Sequence, residues 1–202
     1  MSDSAASEEA LPAPTALPRK PSVPRGERSL VRAAKRGSTS ALDELVARHW
    51  EAAHRAAYLI VQDAGIAEDI AQEAIVATIG VLDRFDWRRP LRPYLHRTVV
   101  NRSLDWLRSR RNQPEVSLEE VHPPQPAVQA HQGESRLPAA LLSALASLEP
   151  EDRAAIVLRH VLDYRARDVA EFLGIQPSTA RSRISRALER LRAALEEGAD
   201  FK

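Results

Sequence analysis

The residues best suited to chemistry lie between Asp163 and Leu195. Ser178, Thr179, Arg181, Ser182, Ser185 and Arg186 fall on one side of a helical wheel, with Arg183 and Arg190 flanking them. Hydroxyls and guanidinium forks are the groups that read base edges in a major groove and grip phosphates. To present them, the chain needs a helix anchored on its other side. Ala180, Ile184, Ala187, Leu188, Leu191 and Leu195 supply that apolar side at helical spacing. Pro177 suits a first helical position, where its missing N–H costs nothing. Upstream, Val169, Ala170, Phe172 and Leu173 form the apolar face of a shorter helix, and Gly174 ends it in a left-handed turn. The stretch therefore predicts a helix-turn-helix whose second helix enters a major groove and whose free N–H groups can seat a phosphate. The competing reading is an ordinary surface helix pair with solvated arginines.

A second set of charged residues is split along the chain. From Asp43 to Asp83 the acids include Glu68, Asp69 and Glu73, against only Arg48 and Arg55. From Arg84 to Arg111 the bases include Arg88, Arg97, Arg102 and Arg108, against only Asp86 and Asp105. The first half repels a phosphate backbone and the second attracts it. Such a split fits a basic protein partner on one face and nucleic acid on the other.

The elements that must carry these residues follow from periodicity. Leu30, Val31 and Ala34 form a short helical face, broken at Gly37, and Ser40 is a candidate cap for the next helix. Leu42, Leu45, Val46, His49, Ala53, Ala56, Ala57 and Ile60 then make one stripe, interrupted at Gly65. A third helix begins near Ala67, with Ile70, Ala74, Ile75, Thr78, Ile79 and Leu82 inward. Phe85, Trp87 and Pro90 mark a loop, and a fourth helix runs from about Leu91 to Arg110. Further on, Leu141, Leu142, Leu145 and Leu148 line one helix, and Ala155, Ile156, Leu158, Val161 and Leu162 bury the next, which opens at Pro150. No stretch alternates with period two, so the chain reads as all-α, with two small helical domains joined by a flexible linker.

The expected boundaries are a disordered extension over 1–28, a first domain over 29–111, a linker over 112–137 and a second domain over 138–198, with a frayed tail beyond. Prolines at 114, 123, 124 and 126 mark the linker. Its His122 and His131 lack partners at ligand spacing, so a metal role is not expected.

Composition sets limits on function. The 202 residues carry a net charge of +1, which argues against a uniformly basic nucleic-acid coat. Lysine is confined to Lys20, Lys35 and Lys202, so the basic groups are arginines. With no cysteine there is no disulfide framework or thiolate site. No apolar run approaches a membrane span and the start has no apolar leader, so membrane insertion is not expected and a cytoplasmic location is.

Several motifs in order resemble bacterial sigma factors of the extracytoplasmic-function type. Ala67-Glu68-Asp69-Ile70-Ala71-Gln72-Glu73-Ala74 resembles the family's region-two motif. Leu82-Asp83-Arg84-Phe85 and the segment from Tyr94 to Arg108 follow at the family's spacing. The segment from Leu148 to Arg159 looks like the opening of region four, and Ser178-Thr179-Ala180-Arg181-Ser182-Arg183 stands where the family has Gly-Thr-Val-Lys-Ser-Arg. The resemblance runs from Ser29 to Glu197.

It implies an initiation subunit that gives core RNA polymerase its promoter specificity, with no catalytic residue, cofactor or metal of its own. Asp69, Gln72 and Glu73 would dock on the polymerase clamp helices. Trp87, Arg88, Arg97, Asn101, Arg102 and Arg108 would meet the downstream promoter element, where a base is flipped out of the stack. Phe85 fits a core anchor better than a base pocket. Ser178, Thr179, Arg181, Ser182, Arg183 and Arg186 would read the upstream element. The family also admits an anti-sigma factor as partner. In the loop, Asp86-Trp87-Arg88-Arg89-Pro90 departs from the family's usual Gly and Ser, and Arg165 replaces a common Ser cap, which predicts a loose start to the first helix of the helix-turn-helix.

Two other functions compete on the residues alone. One is a helix-turn-helix regulator that never touches polymerase. The other is a metal-dependent nuclease using Glu68, Asp69 and Glu73, since carboxylates four apart on a helix can share a divalent ion. No Gly-rich phosphate loop, triad arrangement or His cluster accompanies those acids.

Overall fold

The computed structural model describes residues 26–112 and 137–199. The expectations for most of the N-terminal extension, for nearly all of the linker with His122 and His131, and for the last three residues lie outside that range. The described residues are helical, with no strand among them. In order they form α1 (Glu27–Lys35), α2 (Thr39–Val61), α3 (Ala64–Gly80), α4 (Leu91–Asn112), α5 (Ala139–Ala146), α6 (Pro150–Ile156), α7 (Ala166–Leu173) and α8 (Pro177–Ala199). A 3-10 turn at Leu82–Arg84 follows α3, and a π-turn at Val157–Val161 extends α6.

Helices α2, α3 and α4 pack as a bundle. Ala53, Ala56 and Ala57 of α2 and Ala67, Ala71 and Ala74 of α3 are fully buried. Small side chains there let the two backbones approach closely, which compensates for a core poor in aromatics. The helix ends are set by local chemistry. Gly37, at φ 88°, turns the chain so that Ser38, not Ser40, caps α2; its side chain accepts from the Ala41 N–H at 3.3 Å. The break between α2 and α3 falls at Gln62, which is left-handed at φ 59°, and Asp63 caps α3 by accepting from Ile66 N–H at 3.0 Å. Gly65 sits inside the first turn of α3 and is not the interruption.

Two residues expected inside are not. Ile79, in the last turn of α3, and Val161 are each 36% exposed. The cause at Val161 is the π-turn: Leu162 N–H bonds to the Val157 carbonyl at 3.0 Å, five residues back. The extra residue in that turn swings Val161 outward and Leu162 inward. Arg165 does not loosen α7 either, because the Asp168 carboxylate reaches back to accept from Arg165 N–H at 3.1 Å.

The bundle and the second helical group share one apolar core. Leu59, Ile60, Leu95 and Val99 of α2 and α4 belong to the same buried cluster as Leu145, Val157, Leu158 and Tyr164. Polar contacts cross the boundary. The Arg153 guanidinium donates to the Ile60 carbonyl at 2.6 Å and, within its own half, to the Ala146 and Leu148 carbonyls at 2.9 and 3.1 Å. Gln62 donates to the Leu142 carbonyl at 2.8 Å, and Arg92 to the Leu162 carbonyl at 3.0 Å. His96 Nδ1 and the Tyr164 hydroxyl share a hydrogen bond of 3.0 Å in a fully closed site.

Burial, with Arg92 and His49 adding to it, pushes the His96 pKa from 6.5 down to about 3. The imidazole is therefore neutral in the folded chain, and the sign of its pH effect follows. Its contribution is complete above pH 6.5 and is lost as pH falls, because the unfolded chain takes up the proton first. Between pH 6.5 and 5 the loss is about 2 kcal/mol, at 1.36 kcal/mol per pH unit. His49, also lowered mainly by burial, acts in the same sense. Urea unfolding across that window will show the slope, and His96→Gln will flatten most of it.

Candidate polymerase and nucleic-acid interfaces

The α8 face is built from its anchor outward. Ala180 and Ala187 are fully buried and Leu191 nearly so. That leaves Ser178, Thr179, Arg181, Ser182 and Arg186 exposed together. The turn before it is held by Gly174 at φ 65° and by Ile175 N–H bonding to the Ala170 carbonyl at 3.0 Å. Ser182 and Arg186 bond back to carbonyls one turn earlier, at 3.1 and 3.3 Å, which keeps them short and close to the helix. Arg183 is different. It is half-buried and faces Asp152 of α6 at 3.6 Å, beside Arg190 at 3.2 Å from the same carboxylate. Arg183 thus fastens α8 to α6, and any phosphate must compete with Asp152 for it.

On α3, Asp69, Gln72 and Glu73 are all exposed on one face. Val76, three residues past Glu73, extends that face and is 67% exposed. The sequence reading missed it; the signal was an apolar residue continuing the polar stripe at i+7 from Asp69. Gln72 bonds to Glu68 at 3.3 Å, and Glu73 is ion-paired with Arg102 of α4. A residue assigned to polymerase and one assigned to DNA are therefore partners of each other. Among the described residues no group of three acidic or histidine side chains is placed to hold a metal ion.

Helix α4 separates its four candidate DNA-binding residues into two sets. Arg97, Asn101 and Arg108 stand at i, i+4 and i+11, one stripe of a 3.6-residue helix. Arg102 is turned from that stripe toward α3. Arg108 is held by Asp105 at 3.1 Å and by Glu151 of α6 at 3.2 Å. In Glu151 burial alone would raise the pKa, but its own backbone N–H and Arg108 outweigh it and the net shift is downward.

The loop before α4 sorts its aromatics as well. Phe85 is buried, edge-on to Tyr94 at 6.1 Å between centroids, and serves the core. Trp87 stays half-exposed, with the Arg32 and Arg88 guanidinium carbons 5.1 and 5.3 Å from its ring centre. Arg88 N–H is tied to the Asp86 carboxylate at 3.0 Å.

Comparison with known proteins gives this arrangement a context. Residues 45–113 match the family model for sigma-70 region 2, and residues 139–191 match that for sigma-70 region 4. The chain is 34% identical over 167 residues to the ECF RNA polymerase sigma factor SigM of Mycobacterium tuberculosis, covering 83% of each chain. It is 31% identical over 161 residues to the RNA polymerase sigma-E factor of Streptomyces coelicolor, covering 79% of this chain and 88% of that one. Among solved structures it is similar to CnrH in complex with the cytosolic domain of CnrY, at TM-score 0.62 and 27% identity over 85% of this chain and 97% of that one. The fold is also that of the sigma factor RpoE of Bartonella quintana, solved with the anti-sigma factor NepR, at TM-score 0.63 and 24% identity over 76% of this chain and 96% of that one.

Proposed function

The chain belongs to the sigma-70 family, among its extracytoplasmic-function members, and from that premise we propose how its surfaces divide the work of promoter-specific initiation with core RNA polymerase. In this reading 29–111 acts as region two, 138–198 as region four and 112–137 as the connection between them. Asp69, Gln72 and Glu73, with Val76 beside them, meet polymerase. Arg97, Asn101, Arg108, Trp87 and Arg88 meet the downstream element, with Arg102 joining them once Glu73 releases it. Ser178, Thr179, Arg181, Ser182 and Arg186 read the upstream element, and Arg183 joins them after parting from Asp152.

The observation that carries the proposal is the pairing of two opposite surfaces in one chain: an exposed acidic face on α3 and an exposed arginine and hydroxyl face on α8. A DNA-binding regulator needs only the second. An anti-sigma partner belongs to the same proposal, since covering the α3 face would block the polymerase. The work is done on the chromosome, hence in the cytoplasm, and asks no catalytic residue of this chain.

Run-off transcription with reconstituted core polymerase on a genomic library tests it. Specific transcripts that require the added protein support it; tight duplex binding with no polymerase association supports the regulator instead. On the promoters so found, Arg181→Ala will lower use of the upstream element about tenfold, since one base-reading guanidinium supplies about 1–3 kcal/mol of discrimination. An unchanged promoter profile in that variant would show that α8 is misassigned.

A further inference from the structure

Helix α1 lies before the segment matched to region 2, which begins at residue 45. Yet its side chains hold the loop between Phe85 and Leu91 at three places. At the loop's start, Lys35 Nζ donates to the Phe85 carbonyl at 2.9 Å. At its middle, Arg32 stands over the Trp87 ring. At its end, Glu27, only 2% exposed, accepts from the Leu91 N–H at 2.8 Å and so caps α4. Between these contacts Val31 and Ala34 pack into the same small cluster as Leu82, Phe85 and Leu91. The loop is fixed by a helix 50 to 64 residues away in sequence rather than by its own turn chemistry alone.

We propose that α1 is the positioning element of the base-reading loop, with Arg32 and Lys35 as the residues that hold Trp87 in place to receive an unpaired base. The inference rests on the reading of this loop as the downstream-element reader. Two guanidinium groups contact the Trp87 ring, and they differ in their roots. Arg88 belongs to the loop and is exposed, so an unpaired base can take its place on the ring. Arg32 is rooted in a helix and keeps the ring oriented while that exchange occurs. A loop already held in its bound shape loses less freedom when the base arrives, and the benefit appears as discrimination between bases. Lys35 is one of only three lysines in the chain, and its contact fixes the backbone from which Trp87 projects.

The test uses the full chain with core polymerase on a promoter recovered by run-off transcription, with each of the four bases placed in turn at the flipped position. The readout is the ratio of open-complex yield for the preferred base to that for the others, followed by 2-aminopurine fluorescence at the neighbouring step. Arg32→Ala and Lys35→Met each lower that ratio at least fivefold, and Lys35→Arg, which still donates to the Phe85 carbonyl, restores it. A loss of yield equal for all four bases means α1 merely stabilises the fold and overturns the inference. An unchanged ratio in both α1 variants, with Trp87→Ala lowering it, also overturns the inference but leaves the loop as reader. If Trp87→Ala is silent too, the loop reading fails and the inference with it. Should Lys35→Met unfold on a thermal melt, Arg32→Ala, whose side chain is exposed, decides alone.

Discussion

Arg153→Met unfolds with about 3 kcal/mol less stability than the parent chain in urea, and its transition broadens toward two steps. The argument begins at the end of α2. A helix leaves its last carbonyls without partners, and the Ile60 carbonyl is one of them. Water cannot reach it, because the second helical group covers it. The Arg153 guanidinium fills the gap at 2.6 Å and at the same time satisfies the Ala146 and Leu148 carbonyls. Burial pushes the Arg153 pKa down, with Glu149 opposing, the direction expected when a charge is taken out of water. Hydrogen bonds to a charged donor are worth about 1.5–3 kcal/mol each, but removing the charge also removes that cost. The net is therefore nearer to a single strong bond plus the penalty for carbonyls left dry. Methionine keeps the apolar stem and isolates the loss of the head group. Arg153→Lys, which keeps the charge but not the fork, recovers about half. Since Arg153 is the donor that spans the boundary to Ile60, its loss weakens the cooperativity between the halves, and a second step in the urea curve will report that. A variant with the parent's midpoint and slope would mean that water replaces the guanidinium without cost.

How much of this was legible beforehand depended on whether the cause was local. The turn between α7 and α8 was readable because Gly174 and Pro177 act within their own few residues. The exposed set on α8 was readable because helical periodicity alone separates Arg181 and Arg186 from Ala180 and Ala187. The cap at Ser38 was missed because Gly37 settles the geometry, and two neighbouring serines offer the same side chain. The π-turn was missed because nothing in Val157–Val161 announces an extra residue. The joint core was illegible for a stronger reason. Gln62, Arg92, His96 and Arg153 find their partners 80, 70, 68 and 93 residues away, in no fixed order of sequence. A buried arginine in a helix looks, in sequence, like a solvated one. The same holds for Glu27, whose acid caps a helix 64 residues downstream.

The ion pairs carry one consequence for DNA binding. Arg102, Arg108 and Arg183 have carboxylate partners in the free chain: Glu73, Glu151 and Asp152. Arg181 and Arg186 are exposed without a carboxylate among the ion pairs of the described residues. A phosphate approaching the first group gains only the difference between itself and a carboxylate, whereas the second group meets it from water. The exposed pairs of Arg102 and Arg108 are worth little individually, so that exchange is easy, whereas the half-buried Arg183 gives up a tighter partner in Asp152. In the proposed reading, these pairs leave less unpaired positive charge for a DNA backbone to meet in the chain alone.

Asp69→Lys combined with Gln72→Lys will weaken association with core polymerase about a hundredfold while leaving the fold intact. Both side chains are exposed and neither has a partner in the core, so the substitutions leave the buried surface of α3 untouched. Lysine is a good helix former, so the helix itself does not suffer. The electrostatic change is large: one charge is reversed and one is added on a face proposed to meet a basic partner. Like charges brought together across an interface cost several kcal/mol, and about 2.7 kcal/mol suffices for a hundredfold loss. Glu73 is left in place because Arg102 already occupies it, so its replacement would disturb two surfaces at once. Val76→Ala supplies the complementary measurement. It removes apolar contact without charge, so it will weaken binding less, and its effect will persist at high salt while that of the lysine pair fades as the charges are screened. Fluorescence anisotropy of labelled chain against core enzyme, at two salt concentrations, separates the two terms. If the doubly substituted chain binds core as the parent does, polymerase does not use this face, and the acidic stripe of α3 has no part in initiation.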